Sequence, residues 1–402
     1  MHRTPRPGLP GGDRVPEVHP TTVHPTTVHP TTVRPTTVRL PTVRIAALRT
    51  AAVLVAVPAL LAACAGTPGT AAAPPPAAEA SPVYAESRPS MSTLVTVTIS
   101  GATADEAASA AAEAFAVFER VEAVMNEWRE DSPLGRLNAA AGSGAWVELP
   151  ADLCEVLRLA VDGARRTGGL FDPTWAALRG LWRFGDGEAP SVPDPAALAA
   201  RCRLVSWRGL EVEPPAAAGG ESCRARLAER GMAVGLGGIA KGWGVDRAVA
   251  RLRARGLRDF AVQAGGDLFA AGRRAGRPWR VGVRDPRGPP DAAFAFLDVS
   301  DRAFSTSADS ERFFLSGGGR PHHLLDPRTC RPATASRSAS VLAPTAVDAE
   351  VLGKAVFVLG GEAGLRLAER EGAEAVLVTA DGRVEASRTL AGRLAVERAP
   401  LP

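Results

Sequence analysis

Histidine is scarce in this 402-residue chain. Four of the six, His2, His19, His24 and His29, lie in the low-complexity N-terminal region, and only His322 and His323 remain for a folded domain. Any imidazole base must come from that pair, which otherwise reads as two surface residues before a turn. No Gly-x-Ser-x-Gly elbow is present, and Ser305-Thr306-Ser307 has no histidine nearby in sequence. The absence of Gly-Lys-Ser/Thr excludes a Walker loop. Cys154, Cys202, Cys223 and Cys330 show no CxxC or Cys/His metal spacing. They are expected to be packing or surface residues, with Cys202–Cys223 the one pairing to test. The net charge of +4 comes from arginines spread over the whole length, with no dense Lys/Arg block, so nucleic acid is not an expected partner.

The N-terminal region is built differently from the rest. In residues 1–43, Val18-His-Pro-Thr-Thr recurs with a period of five through Val38. Proline at every fifth place forbids a helix, and nothing here can bury a core, which suggests a disordered leader or a misassigned start codon. Residues 44–63 follow as a secretory signal: Arg44 and Arg49 precede an apolar run from Ala51 to Ala63, too short to span a bilayer as a permanent helix. Leu61-Ala62-Ala63-Cys64 resembles a bacterial lipobox, which implies a lipid on Cys64 and an exported protein anchored to the outer face of the cell membrane. Residues 64–87 then form a flexible tether, and the domain occupies 88–395.

Within the domain the apolar spacing alternates between helix and strand periods. Val95, Val97 and Ile99 read as a half-buried strand, and Thr103 with Glu106 as a capping box opening a helix. A second helix spans Ala151 to Arg166. Strands are expected at Leu204–Trp207, Leu210–Val212, Ala233–Gly235 and from Phe260 into a glycine turn, then at Trp279–Val283, Ala293–Val299 and Arg302–Ser305. A helix over Val347–Leu359 precedes a final helix–strand pair. The later strands look hairpin-joined, which favours a mixed α/β or α+β domain, largely antiparallel with flanking helices, over a doubly wound sheet.

The stretch Gly235-Leu-Gly-Gly-Ile-Ala-Lys-Gly-Trp-Gly-Val-Asp246 holds five glycines and a lysine ahead of a long helix. A phosphate loop, a dinucleotide turn of GxGxxA type with Asp259 downstream, and an empty strand-to-helix turn all suit it.

Ordered motifs narrow the choice. Met91-Ser-Thr93, Leu170-Phe-Asp-Pro-Thr174, Gly238-Ile-Ala-Lys-Gly242 with Asp246, and Ala264-Gly-Gly-Asp267 are followed by Phe304-Ser-Thr-Ser-Ala308, His323-Leu-Leu-Asp-Pro-Arg-Thr329 and Phe357-Val-Leu-Gly360. In that order they resemble the ApbE family of FAD:protein FMN transferases, over roughly residues 88–390. The resemblance implies an ApbE-like (T-fold type) core. It also implies FAD as substrate, Mg²⁺ as helper, and phosphoester attachment of FMN to a Ser or Thr of a separate exported acceptor flavoprotein, with release of AMP. Met91, Trp128, Leu170, Phe171, Asp172, Lys241 and Leu325 are the implied FAD contacts, the carbonyl of Gly238 faces the metal, and His323 is the base for the incoming hydroxyl.

Two motifs depart from the family pattern. Gly235 stands where an aspartate is usual, and Glu350 and Lys354 stand where Asp-x-x-x-Thr is usual. Glu350 can ligate Mg²⁺, whereas Lys354 cannot: either it replaces the metal partly or wholly, pairing with Glu350 and with phosphate oxygens, or it points to solvent and the metal binds as usual. Ser100-Gly-Ala-Thr103 resembles the family's acceptor motif, but Val97 replaces its aspartate, so it reads as a strand end and not as a self-modification site. The rival readings are a non-catalytic FAD-binding lipoprotein, an FAD pyrophosphatase using water, and, more distantly, a dinucleotide oxidoreductase.

Overall fold

The computed structural model describes residues 82–184, 189–214 and 222–402. The repeat, the signal segment, Cys64 and most of the tether lie outside the described residues. Folded structure begins earlier than residue 88, because β1 (Val83–Ser90) pairs along its whole length with β2 (Thr93–Ser100). Met91 and Ser92 join them with both φ angles in the left-handed region, the geometry whose twist matches a two-residue hairpin.

Helix α1 (Ala104–Met125) opens with the expected capping box, Thr103 and Glu106 each bonding the other's backbone N–H. Thr103 is therefore a helix cap, in keeping with its reading as no acceptor. The chain continues through α2 (Pro133–Ala139), β3 (Val147–Pro150), α3 (Ala151–Arg166), α4 (Pro195–Cys202), β4 (Leu210–Val212) and β5 (Ser222–Leu227). After α5 (Ala240–Ala254) come β6 (Phe260–Ala264), β7 (Asp267–Ala271), β8 (Trp279–Arg284), β9 (Ala293–Val299) and β10 (Arg302–Ala308). The last part comprises β11 (Leu325–Asp326), β12 (Arg331–Pro332), β13 (Ser336–Ala343), α6 (Ala346–Leu359), α7 (Gly361–Arg370), β14 (Glu374–Thr379), β15 (Val384–Ala386) and β16 (Ala395–Val396).

The main sheet has eight strands in the order β1-β2-β6-β7-β10-β13-β14-β15. Every pairing between named strands is antiparallel, so the sheet is less mixed than the alternation of elements suggested. Helices α1, α5 and α6 cover one face, where Val97, Phe118, Val249, Val262, Leu352 and Val341 share one core. The sheet β16-β9-β8 covers part of the other face through Phe294, Leu297, Leu342 and Val376. A third core lies around α3 and β3-β5-β4, and takes in Phe171, Leu236 and Ile239.

Two expected strands are absent. Trp207–Gly209 is a turn of 3-10 helix, because Ser206 N–H donates to the Thr174 hydroxyl and Trp207 N–H to Asp172, so side chains replace a strand partner. Ala233 makes only an isolated bridge to Trp175.

The cysteines also depart from expectation. Cys154 bonds Cys223, tying α3 to β5, and Cys202 bonds Cys330, tying α4 to the segment after β11. All four were expected as packing or surface residues, with Cys202–Cys223 the one pairing to test, but α3 packs against the β5 sheet and brings Cys154 to Cys223 instead. With its cysteines 69 positions apart, loop-closure entropy assigns the Cys154–Cys223 bridge about 4 kcal/mol. Denaturant unfolding with and without reductant, which opens both bridges, should show a loss of at least that order. An unchanged midpoint after verified reduction would show that neither bridge constrains the unfolded chain.

Candidate active site

The glycine stretch crosses from the third core into the first turn of α5. Gly235 N–H donates to Pro173 O, and its carbonyl accepts from the Trp175 indole at 3.1 Å. A Cβ at Gly235 would stand 2.8 Å from the Trp175 ring, so the position usual for an aspartate is filled by indole. The next amide is also engaged: Leu236 N–H donates to the buried Glu127 carboxylate at 2.6 Å, which Arg179 holds from the other side. Burial keeps the Glu127 carboxyl above its ordinary range despite Arg179. Nothing in the sequence pattern marked Glu127 or Arg179.

Lys241 lies in the first turn of α5, where its ammonium reaches Glu350 Oε1 at 2.6 Å, Gly237 O at 3.1 Å and Asp267 Oδ2 at 3.2 Å. Glu350 Oε2 accepts from Gly242 N–H at 2.8 Å, so this carboxylate sits on the positive end of α5. That approach requires glycine, since a Cβ at position 242 would be 2.6 Å from Ala346 O. Asp246, one turn further along α5, accepts from Ala346 and Val347 N–H and so caps α6, which fixes where Glu350 and Lys354 fall. Asp267 leaves the Gly265-Gly266 turn and faces Ser305 across the β7–β10 register, accepting from its hydroxyl at 2.5 Å.

Lys354 follows Glu350 by one turn of α6. Its Nζ lies 3.1 Å from Glu350 O and 3.5 Å from Oε1. Its stem runs beside Gly238, where a Cβ would be 2.9 Å from Cε and 3.2 Å from both Cδ and the Phe171 ring. Gly238, Phe171, Lys241, Glu350 and Lys354 are thus one site, with Asp267 as a member whose motif was noted without a role. Burial alone would lower the Lys241 ammonium, but Glu350 and Asp267 outweigh it and hold its pKa above the ordinary range. Burial would likewise raise Glu350, yet the two ammoniums keep it low. Lys354 is the softer cation, lowered by burial, though Glu350 opposes the shift.

The histidines separate. His322 is buried with both nitrogens engaged, Nε2 with Ala333 O at 2.8 Å and Nδ1 accepting from Leu324 N–H, and its ring stands edge-on to Phe357. His323 has a buried Nδ1 with no hydrogen-bond partner among the described residues. Burial, reinforced by His322, Arg312 and Lys354, pushes its pKa down to about 3.

The other expected contacts are more dispersed. Asp172 is buried and accepts from Thr174 N–H and hydroxyl and from Trp207 N–H, which makes it the pin of a turn. Met91 sits on the β1–β2 turn, Leu170 packs against the helix-side core, and Leu325 pairs with Pro332. Trp128 is 66% exposed beneath the Arg179 guanidinium at 4.2 Å, and so offers an open aromatic face linked through Arg179 and Glu127 to the glycine stretch.

A buried pair of carboxylates laced by two lysines, beside a glycine turn and an unpartnered imidazole, suits an anionic phosphate ester. Residues 91–377 match the profile of the ApbE family. The chain belongs to the ApbE family. It is similar to the FAD:protein FMN transferase of Treponema pallidum, 36% identical over 304 residues, 73% of this chain and 83% of that protein. Among solved structures, the ApbE protein of Thermotoga maritima superposes with a TM-score of 0.69 at 28% identity, covering 78% of this chain and 99% of that one. The apo flavinyl transferase ApbE of Pseudomonas stutzeri gives 0.68 at 27% identity, covering 78% and 97%.

Magnesium, which resemblance to the ApbE family implies, does not fit these side chains. Mg²⁺ demands near-octahedral oxygen ligands. Both oxygens of Glu350 and both of Asp267 are already held by an ammonium, an amide or a hydroxyl. Among the described residues no group of three or more His, Cys, Asp or Glu is placed to hold a metal.

The His323 shift has a consequence for stability. Its folded pKa lies below the unfolded value, so the unfolded state binds the extra proton and stability is lost as pH falls from about 6.5 towards 3. Lowering the pH from 7 to 5 should cost about 2 kcal/mol through this residue. Unfolding curves of His323→Gln should lack that part of the acid dependence, and an unchanged slope would mean that the imidazole is protonated in the fold.

Proposed function

We infer that this chain transfers FMN from FAD to an acceptor protein. The observation that carries the reading is the Lys241–Glu350–Lys354 cluster, within a family whose similar members are FAD:protein FMN transferases. The acceptor's Ser or Thr oxygen attacks the FMN-side phosphorus, the bond to the bridging oxygen breaks, and AMP leaves with that oxygen. Lys241 and Lys354 supply positive charge to the pyrophosphate as negative charge builds on the leaving phosphate. Phe171 and Gly238 bound the same space, and Trp128 offers a stacking face for flavin or adenine.

His323 takes the hydroxyl proton. A resting pKa near 3 makes it a weak base, and the charge of a bound pyrophosphate is what raises it. Substrate binding therefore precedes base activation, which disfavours idle hydrolysis. Magnesium has no part in this reading, because the oxygens of the carboxylates that would hold it are taken by an ammonium, an amide or a hydroxyl.

Export supplies the setting. The lipobox at Leu61-Ala62-Ala63-Cys64 supports a lipid anchor on the outer face of the membrane, and two disulfides suit an oxidising compartment. The acceptor is then an exported flavoprotein.

The purified protein, incubated with FAD and a domain bearing Asp-x-x-Thr-Gly-Ala-Thr, should place covalent flavin fluorescence on that domain and release AMP. Free FMN without labelling would instead identify a pyrophosphatase, and unchanged FAD a carrier. His323→Gln should slow labelling by about a hundredfold or more, while equal rates would remove the base assignment. Separately, Cys64→Ala should move the protein from the membrane fraction to the soluble fraction in cells. Wild-type protein already in the soluble fraction would defeat the anchor.

A further inference from the structure

We propose that Lys354 is a resident cation that takes the place of a divalent metal, so that this active site works through two lysines and binds no Mg²⁺. The inference rests on the transfer reading for its kinetic test only.

Three observations converge on it. Lys354 is built in: its stem fills the space beside Gly238 that any Cβ would contest at 2.9 Å, and its Nζ lies within 3.5 Å of a fully buried carboxylate. The cluster is closed in charge, with Asp267 and Glu350 facing Lys241 and Lys354. And position 235, one further place for an oxygen ligand, is shut by the Trp175 ring at 2.8 Å from where a Cβ would stand. A carboxylate there would have to displace an indole that is itself hydrogen-bonded to Gly235 O.

An ammonium can do what the site asks of a cation. It presents three rotatable donors and a point charge to phosphate oxygens. Lys241 is anchored to both carboxylates and holds the cluster in place, whereas Lys354 touches only Glu350 and is freer to turn towards a phosphate. A pyrophosphate arriving with negative charge favours the charged form of both amines.

The test has two arms. In calorimetry, MgCl₂ titrated into the metal-stripped wild-type protein should give no saturable heat. Lys354→Thr, which returns a hydroxyl oxygen and removes the ammonium, should give a single binding isotherm. In the kinetic arm, wild-type FMN transfer should proceed in excess chelator without loss, and Lys354→Thr should fall by about a hundredfold without metal and regain rate with Mg²⁺. Should Lys354→Thr not fold, Lys354→Met keeps the stem and removes the charge, and the wild-type measurements still decide. Saturable Mg²⁺ binding by the wild-type protein that Glu350→Gln abolishes, or loss of wild-type transfer on chelation that Mg²⁺ restores, would overturn the proposal. If the wild-type protein transfers no FMN under any condition, the assigned reaction falls, while the calorimetry still answers the cation question.

Discussion

Everything at the active site depends on one buried carboxylate. Glu350 is fully buried, and a lone charge there would be untenable. It is kept ionised by an amide at the start of α5, by Lys241 and by Lys354. Those contacts join the two helices that lie over the centre of the main sheet, so the charge cluster and the helix packing are one construction. Removing any partner leaves a buried charge uncompensated, which typically costs several kcal/mol.

The surroundings follow from that demand. Asp246 caps α6 and sets its height, Gly242 lets α5 and α6 approach, and the Gly265-Gly266 turn delivers Asp267 beside Ser305. None of these groups needs to touch a substrate to matter. They place two ammoniums at one spot, next to an imidazole that burial keeps neutral. The result is a site prepared for an anion.

Much of this was legible in the sequence, and the failures have physical causes. Helix α3 falls on Ala151–Arg166 as its spacing predicts, and the capping box at Thr103 is present in full. Lys241, Gly238, Phe171, Glu350 and Lys354, taken from separate motifs, lie together in the fold. Strand β5 carries a period-2 pattern in Cys223, Ala225 and Leu227, whereas β13 is buried almost throughout because the sheet is covered on both faces, so period-2 reasoning could not mark β13. The disulfide pairs depend on which cysteines the packing brings together, which spacing along the chain does not encode. Asp172 looked like a ligand contact because it sits in a motif, yet its oxygens are bound within the protein and serve a turn. Glu127 and Trp175 gave no signal, although between them they determine what position 235 and the amide after it can do.

The contact between Gly238 and the Lys354 stem couples two positions far apart in sequence. A Cβ at 238 would stand 2.9 Å from Lys354 Cε and 3.2 Å from the Phe171 ring, so the outer part of the lysine would have to turn aside to make room. A change in the glycine turn would therefore be read out in where the Lys354 ammonium sits.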